Sequence, residues 1–309
     1  MTDSLARGLW VPALTPFTAD FQPDRARFIA HCRWLLDQGA DGLAVFGTTS
    51  EANSLSTGER IALLDALIDA GIPAQRLLPG TGMCALTDSA TLTAHAALNG
   101  CKGVLMLPPF YYKTVSDDGL YASFSQVIER VGNARLKVYL YHIPPVAQVP
   151  ISFGLMERLR RDYPATVVGI KDSSGDAAHT GELIRRFPEM AVFPGAESYL
   201  LSALRQGAVG CISATANINA AGIAGVIANR DAPDAERRQE GISQIRRIVQ
   251  AYPVIAAMKG LLASALSDPR WRNIRPPLEI LDEARMRKLQ SELDAIGFRV
   301  AARSASAAA

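Results

Sequence analysis

Short apolar runs alternate with longer amphipathic segments along most of the chain. Eight runs have the continuous apolar pattern of buried strands, with glycine, proline, threonine or serine at or near their ends. They cover residues 9–17, 42–47, 77–82, 103–108, 137–143, 167–172, 191–196 and 211–217. Helical spacing follows the first seven runs, at residues 24–38, 57–70, 87–99, 118–131, 152–161, 177–186 and 198–206. The alternation predicts an α/β fold, a (β/α)8 TIM barrel rather than an open doubly wound sheet.

The last third of the chain follows a different pattern. Residues 232–266 contain no strand-like run, and helical spacing recurs at residues 236–251, 254–266 and 281–296. We therefore expect a barrel over residues 1–228 and a C-terminal helical extension over residues 229–300, packed on the barrel. Small and polar residues at 301–309 predict a disordered tail.

Composition narrows the class of protein. The 309 residues are 49% hydrophobic and 20% charged, with a net charge of +2. No basic stripe indicates a nucleic-acid or membrane-surface partner, and no apolar run reaches the roughly 18 residues of a membrane span. Residues 1–8 lack the pattern of a signal peptide, and no GxGxxG follows the first run. These features predict a cytoplasmic protein without a dinucleotide site.

Cysteine and histidine spacing gives no sign of a metal site. The cysteines form no CxxC pair and lie in apolar contexts, which predicts buried free thiols at Cys32, Cys84, Cys101 and Cys211. No HxH or HxxxH spacing joins the four histidines, which are His31, His95, His142 and His179. We therefore expect no bound metal.

Candidate chemistry gathers where the predicted strands end, which is where barrel enzymes place their reactive groups. Lys171 ends a continuous apolar run. Burial would favour its neutral amine, which can attack a ketone and form an imine, although the side chain could instead reach water. Tyr141 ends the preceding run and is a candidate for proton transfer or an ordinary packing residue. His142 follows it, points to the other face and is interpreted as structural.

Thr48 and Thr49 follow Gly47 at the end of the second run. Their hydroxyl and backbone N–H groups could hold a carboxylate, although a simple turn would also explain them. The next predicted helix opens with Ser56 and Glu59 at the spacing of a capping box.

Five separated motifs have the order and spacing of one known family. They are Gly47-Thr48-Thr49-x-Glu51, the Tyr-Tyr pair after the fourth run, Tyr141-x-Ile-Pro144, the segment 169–172, and Ile212-Ser213-x-Thr215-x-Asn217. Together they resemble the dihydrodipicolinate synthase / N-acetylneuraminate lyase family, and the similarity extends from Pro12 to Pro277. The resemblance implies a (β/α)8 barrel with C-terminal helices, a homotetramer built as a dimer of dimers, and class I aldolase chemistry.

The resemblance also implies roles for individual residues. Lys171 would form the imine with pyruvate or another 2-keto acid, and Tyr141 would transfer protons above it. Thr48 and Thr49 would bind the pyruvate carboxylate, Thr49 also as a catalytic group that relays protons. Tyr111 would complete this relay in a neighbouring subunit, unless Tyr112 takes that part.

The same resemblance assigns residues to the substrate pocket. Gly195 and Ile212 would line the pyruvate site through backbone atoms. Glu197 and Ser198 stand where sialic-acid lyases have two acidic residues facing sugar hydroxyls, and Ala214 replaces a serine of those lyases. Ser50 stands where glycine is usual and is expected to crowd the second loop slightly.

Val146 stands where the lysine-biosynthetic synthases have an arginine that binds the aldehyde's carboxylate. Valine cannot replace that charge, so the synthase reaction is disfavoured unless another cation supplies it. The candidates are Lys113, Arg205 and Lys259. We expect instead an aldehyde that carries hydroxyls or is apolar near Val146.

The sequence thus predicts a Schiff-base aldolase that cleaves or forms a 2-keto-3-deoxy acid with pyruvate as one partner. It needs no metal or organic cofactor, because the protonated imine is the electron sink. The alternatives are a dehydratase or hydratase-aldolase acting on a 2-keto acid, a dihydrodipicolinate synthase, and a non-catalytic ligand-binding member of the fold.

Overall fold

Eight parallel extended segments close into a ring in the computed structural model, which describes residues 5–301. Seven of them are strands, namely β1 (Gly8–Val11), β2 (Gly42–Leu43), β3 (Val104–Met106), β4 (Val138–His142), β5 (Val167–Asp172), β6 (Ala191–Pro194) and β7 (Gly210–Cys211). β1 pairs with β2 and β7, and β3 to β6 pair in chain order.

A few backbone hydrogen bonds close the rest of the ring. The Leu78 amide donates to the Leu43 carbonyl over 2.9 Å, and the Val209 amide donates to the Val192 carbonyl over 3.1 Å. Residues 77–82 therefore occupy the third position of the barrel, between β2 and β3. The predicted (β/α)8 TIM barrel with C-terminal helices is confirmed.

Several predicted strands are longer than the observed ones, among them the second, which is predicted over residues 42–47 and observed only at Gly42–Leu43. Residues 77–82 form only isolated bridges to β2 and β3, because Pro79 lacks the N–H that a continuous ladder needs. β1 stops at Val11, directly before Pro12. β7 is only two residues long because the chain turns into a helix shortly after it.

Helices follow the strands of the barrel, and the described C-terminal part of the chain contains helices but no strand. They are α1 (Arg25–Asp37), α2 (Thr57–Asp69), α3 (Leu86–Leu98), α4 (Asp117–Val131), α5 (Pro144–Ala147), α6 (Phe153–Asp162), α7 (Ala177–Arg186), α8 (Leu200–Gln206), α9 (Ala216–Ala228), α10 (Ala235–Gln250), α11 (Val254–Ala265) and α12 (Glu283–Ala295). The capping box of α2 is present, with Ser56 and Glu59 bonding each other's backbone amides.

The C-terminal helices have a core that reaches into the barrel loops. Its buried members include Met258 and Leu262 of α11 and Leu289 of α12, and Leu14 and Ile218 join them from the barrel. These shared contacts fix the C-terminal helices over the barrel. The proposed boundary between residues 228 and 229 stays a prediction, and the tail predicted at 301–309 lies outside the described residues except for residue 301.

Two predictions about surface and membrane can be compared with the structure. Cys32 and Cys211 are buried, but Cys84 is exposed and Cys101 only half-buried, because these two lie in the turns before and after α3. No single helix within residues 5–301 is long and apolar enough to cross a membrane, although the pair α10 and α11, bent by 107°, passes together on length and composition.

Candidate active site

A cavity of about 410 Å³ lies where the barrel strands end. Five of its lining residues come from the strand ends and the turns directly after them, and we call this set the strand-end wall: Thr48, Thr49, Tyr141, Lys171 and Gly195. All five were predicted from the sequence to be site residues, and the structure brings them together.

Lys171 lies on β5 beside Tyr141 of β4, its partner in the parallel register. Both side chains are 4% exposed. Gly169 precedes Lys171 by two positions and so shares its face of the strand. A Cβ on Gly169 would lie only 2.4 Å from the Tyr139 ring, so glycine is needed there. This packing supports the lysine from below.

The Lys171 amine lies over an aromatic face. Its Nζ is 4.2 Å from the centre of the Tyr141 ring, a distance at which the ring attracts an ammonium group. The Tyr141 hydroxyl is also 3.3 Å from Thr48 Oγ1, and either oxygen can be the donor. Lysine, tyrosine and threonine therefore form one contiguous set that can hold and pass a proton.

The turn that carries the two threonines is held by buried hydrogen bonds. The Ser50 amide donates to the Gly47 carbonyl over 3.1 Å. Ser50 is fully buried, and its hydroxyl donates to the Ala13 carbonyl over 2.6 Å. The serine was expected to crowd this loop, but it instead ties the loop to the first barrel segment.

Three residues predicted to contact substrate do not line the cavity. Glu197 is fully buried behind the wall, where it accepts hydrogen bonds from the hydroxyls of Ser213 and Thr215, and burial raises the pKa of its carboxyl group. Ile212 is buried in the barrel interior. Ser198 is exposed, and its carbonyl accepts from Gln239. The substrate contacts of these three residues stay predictions, and their side chains do not line this cavity.

Tyr111 and Tyr112 lie outside the cavity. They are 73% and 72% exposed, and their rings meet edge to face with centres 5.3 Å apart. The choice between them as the inter-subunit tyrosine stays a prediction.

None of the three cations considered for the missing charge lines the cavity. Lys113 donates to the Ala147 carbonyl over 3.0 Å. Arg205 pairs with Glu236 at the surface, and Lys259 is buried against Glu51. A different cation, Arg246 of α10, lies in the cavity lining instead.

The C-terminal helices provide most of the opposite side of the cavity. We define the C-terminal wall by five of its lining residues, which are Arg246, Val254, Ile255, Ile274 and Leu278. Val146, on α5, lines the cavity beside it and is 61% exposed. Apart from Arg246, these side chains are apolar.

The sequence analysis missed Arg246, although a weak signal was present. Ile242, Ile245 and Val249 form the buried stripe of α10, and Arg246 lies next to this stripe at helical spacing. An arginine beside a core-facing stripe must either extend to solvent or find a buried partner. The sequence alone could not tell that the barrel cavity lies there.

A cluster of His142, Asp172 and His179 has possible metal-ligand atoms within 4.8 Å of one another. The two imidazole rings are stacked, with centres 4.8 Å apart and planes 17° apart. Lone pairs in nearly parallel stacked rings do not converge on one tetrahedral ion. The cluster instead fixes Asp172, whose carboxylate accepts from His179 and Thr180 over 3.0 and 2.6 Å. His142 has the structural surroundings that were predicted, and burial lowers its pKa.

Comparison with known proteins identifies relatives along most of the chain. The sequence model of the dihydrodipicolinate synthetase family matches residues 5–296. An uncharacterized DapA-like lyase of Chloroflexus aurantiacus is 33% identical over 292 residues, which is 94% of this chain and 97% of the relative. A 4-hydroxy-tetrahydrodipicolinate synthase of Desulforamulus reducens is 34% identical over 66% of this chain and 68% of its own.

Solved structures show the same similarity. The dihydrodipicolinate synthase of Agrobacterium tumefaciens superimposes with a TM-score of 0.87 at 34% identity, covering 94% of this chain and 99% of that structure. YagE of E. coli, solved in complex with pyruvate, gives a TM-score of 0.86 at 27% identity, covering 95% of this chain and 99% of that structure.

Proposed function

This chain is a lyase that belongs to the dihydrodipicolinate synthetase family, and we propose that it works as a Schiff-base aldolase. It cleaves or forms a 2-keto-3-deoxy acid, with pyruvate as one partner. The observation that carries the proposal is the buried Lys171 amine, which lies over the Tyr141 ring while the Tyr141 hydroxyl contacts Thr48. A non-catalytic binding protein would have no need of this set.

The first step joins the substrate to the protein. The neutral amine of Lys171 attacks the keto carbon, and loss of water from the carbinolamine gives the imine. The hydroxyls and backbone N–H groups at Thr48 and Thr49 hold the adjacent carboxylate. Gly195 lines the cavity on the far side of Lys171.

Cleavage then needs a proton to leave the substrate's C4 hydroxyl. That proton passes to the Tyr141 oxygen as the tyrosine's own proton moves to Thr48. The C3–C4 bond breaks, an aldehyde leaves, and the electron pair enters the protonated imine to give an enamine. The relay returns this proton to C3, and addition of water to the imine then releases pyruvate and restores the Lys171 amine. The reverse sequence forms the bond, and neither direction uses a metal or organic cofactor.

The second candidate activity is 4-hydroxy-tetrahydrodipicolinate synthase. Its support is that several relatives 30–34% identical to this chain have that name. Val146 stands where those enzymes are expected to have an arginine, which argues against it unless Arg246 of the cavity lining supplies the charge. A dehydratase acting on the same imine would keep the carbon skeleton intact, so that product analysis distinguishes it from an aldolase.

The oligomer and location are proposed on the same basis. We propose a cytoplasmic homotetramer, a dimer of dimers, in which Tyr111 or Tyr112 of one subunit completes the threonine–tyrosine relay of its neighbour. Both tyrosines are exposed enough to do so.

Borohydride trapping tests the proposed function directly. Reduction in the presence of pyruvate, followed by peptide mass spectrometry, should place one covalent adduct on Lys171. Lys171→Ala should abolish the adduct, whereas Lys288→Ala, at a lysine whose side chain is 72% exposed, should keep it. An adduct on another lysine, or none, would overturn the imine mechanism. A panel of 2-keto-3-deoxy acids should then release free pyruvate.

A further inference from the structure

Arg246 is an unexplained charge in the cavity. Among the described lining residues it is the only cation besides Lys171. It comes from α10, outside the barrel strands, and its side chain is 16% exposed. The proposed imine chemistry does not use it, yet keeping a guanidinium partly buried is costly unless it has partners.

The protein satisfies only part of the Arg246 guanidinium. Nη1 donates to the Ser213 hydroxyl over 3.1 Å and lies 3.5 Å from Glu197 Oε2. Nε donates to the Gln250 side chain over 3.2 Å. Nη2 makes no hydrogen bond to any residue between 5 and 301. The guanidinium is thus oriented from behind by Glu197, and one donor nitrogen remains for a ligand.

Apart from Arg246, the C-terminal wall offers no positive charge that could bind an anion. Val146 and the other members of the C-terminal wall are apolar. Glu279 also lines the cavity, but it is an exposed carboxylate and would repel an anion nearby. Glu197 and Ser198, which were expected to meet sugar hydroxyls, lie outside the cavity. A polyhydroxylated chain would therefore find few partners here.

We propose that Arg246 binds a carboxylate on the half of the substrate that does not become pyruvate. It is thereby the residue that determines specificity for an aldehyde acid over uncharged aldehydes. Arg246 contacts Ser213 after β7, whereas Val146 lies after β4. The charge is therefore supplied three strands around the barrel from Val146. The inference rests on the proposed function, since it assumes that pyruvate is held at Lys171.

A pair of aldehydes of matched shape tests this role. Succinic semialdehyde and butanal differ only in that a methyl group replaces the carboxylate. Each is condensed with pyruvate by the wild-type protein and by Arg246→Met, Arg246→Lys and Arg247→Met. Arg247 is the neighbouring arginine, its side chain is 66% exposed, and it does not line the cavity, so that its variant is the matched control.

We expect the wild-type kcat/KM to be at least about tenfold higher for succinic semialdehyde than for butanal. Arg246→Met should lower the value for succinic semialdehyde by about 10- to 100-fold, the scale of one charge-assisted hydrogen bond. It should leave butanal within about twofold, while Arg246→Lys recovers part of the loss and Arg247→Met changes neither. The pyruvate adduct on Lys171 should form in every variant.

Two results would overturn the role of Arg246 but leave the proposed function standing. Equal losses with both aldehydes would mean that Arg246 only supports Glu197 and Ser213. A wild-type preference for butanal, or for glyceraldehyde as a hydroxylated probe, would mean that the wall selects an uncharged partner. Failure of the wild-type protein to form the pyruvate adduct would instead overturn the proposed function, and this inference with it.

Discussion

The two walls of the cavity differ in origin and in chemistry. The strand-end wall is polar, and its side chains are fixed by strand register and by short turns, as in the pairing of Tyr141 with Lys171. The C-terminal wall is apolar apart from Arg246, and it comes from α10, α11 and the segment before α12. The difference suggests a division of labour, in which the barrel supplies the reaction and the added helices select the second substrate.

A buried ion pair joins the two sides. Glu51, three residues after Thr48, pairs with Lys259 of α11, and neither side chain is exposed. The Glu51 backbone is left-handed, with φ of 57°, and its amide closes the threonine turn on the Thr48 carbonyl over 3.1 Å. Burial lowers the pKa of Lys259 to about 8, against the opposing effect of Glu51. The C-terminal helices thus also hold the threonine turn in place.

Removing the Tyr141 hydroxyl is the sharpest test of the division of labour between the two walls. Tyr141→Phe should lower kcat by about 10²–10⁴-fold, the scale of a general acid–base group. The loss should be equal for every aldehyde, because the hydroxyl exchanges a proton with the C4 oxygen that all of them share, whereas the loss in Arg246→Met depends on the aldehyde. Steady-state kinetics with succinic semialdehyde and butanal measures both.

The control for this variant is Tyr163→Phe, which removes a hydroxyl that donates to Glu129 near the surface and should leave the rate unchanged. Thermal unfolding should show that Tyr141→Phe is folded. Near-normal turnover in Tyr141→Phe would show that another group transfers the proton.

The same contrast explains what the sequence could predict. The strand-end residues follow local rules, since an apolar run ending in Lys171 or a glycine followed by Thr48 can be read within a few positions. Arg246, Glu197 and Val146 depend on which way α10 and the loops pack over the rim. Glu197 was expected to face substrate, but Ser213 and Thr215 offer it two hydroxyl donors behind the wall. Such long-range partners leave no periodic signal.

Breaking the ion pair should show how strongly the two sides depend on each other. Lys259→Met keeps an unbranched side chain, one atom shorter, but leaves the Glu51 carboxylate buried without its cation. We expect the free energy of unfolding to fall by about 3–5 kcal/mol, the usual cost of removing one partner of a buried pair. Urea denaturation measures it, with the exposed Lys288→Met as the control.

A second variant separates charge from shape at this pair. Glu51→Gln combined with Lys259→Met removes both charges, so that it should recover most of the lost stability. If Lys259→Met alone is as stable as the wild-type protein, the tie between the C-terminal helices and the threonine turn contributes little.

A smaller effect on stability should appear at low pH, at the ion pair between Arg275 and Glu59. Arg275 donates from Nη1 and Nη2 to the two carboxylate oxygens of Glu59 over 3.0 and 2.5 Å, and it lowers the pKa of Glu59 to about 2. A carboxyl group whose pKa is lower in the folded than in the unfolded state stabilises the fold above the unfolded value, near 4.5. That stability is lost as the pH falls from about 4.5 towards 2.

Glu59→Gln isolates this contribution because glutamine can still complete the capping box with Ser56. A quarter of the side chain is exposed, at 26%, so we expect a loss of about 1–2 kcal/mol at pH 7. The difference between wild type and variant should shrink steadily below pH 4.5 in urea denaturation. The control is Glu240→Gln, at a residue on an exposed face of α10. Its stability difference from wild type should not shrink below pH 4.5. A difference in stability that stays constant down to pH 2.5 would mean that Glu59 acts through packing and not through its charge. The contact between Arg275 and α2 would then not be electrostatic.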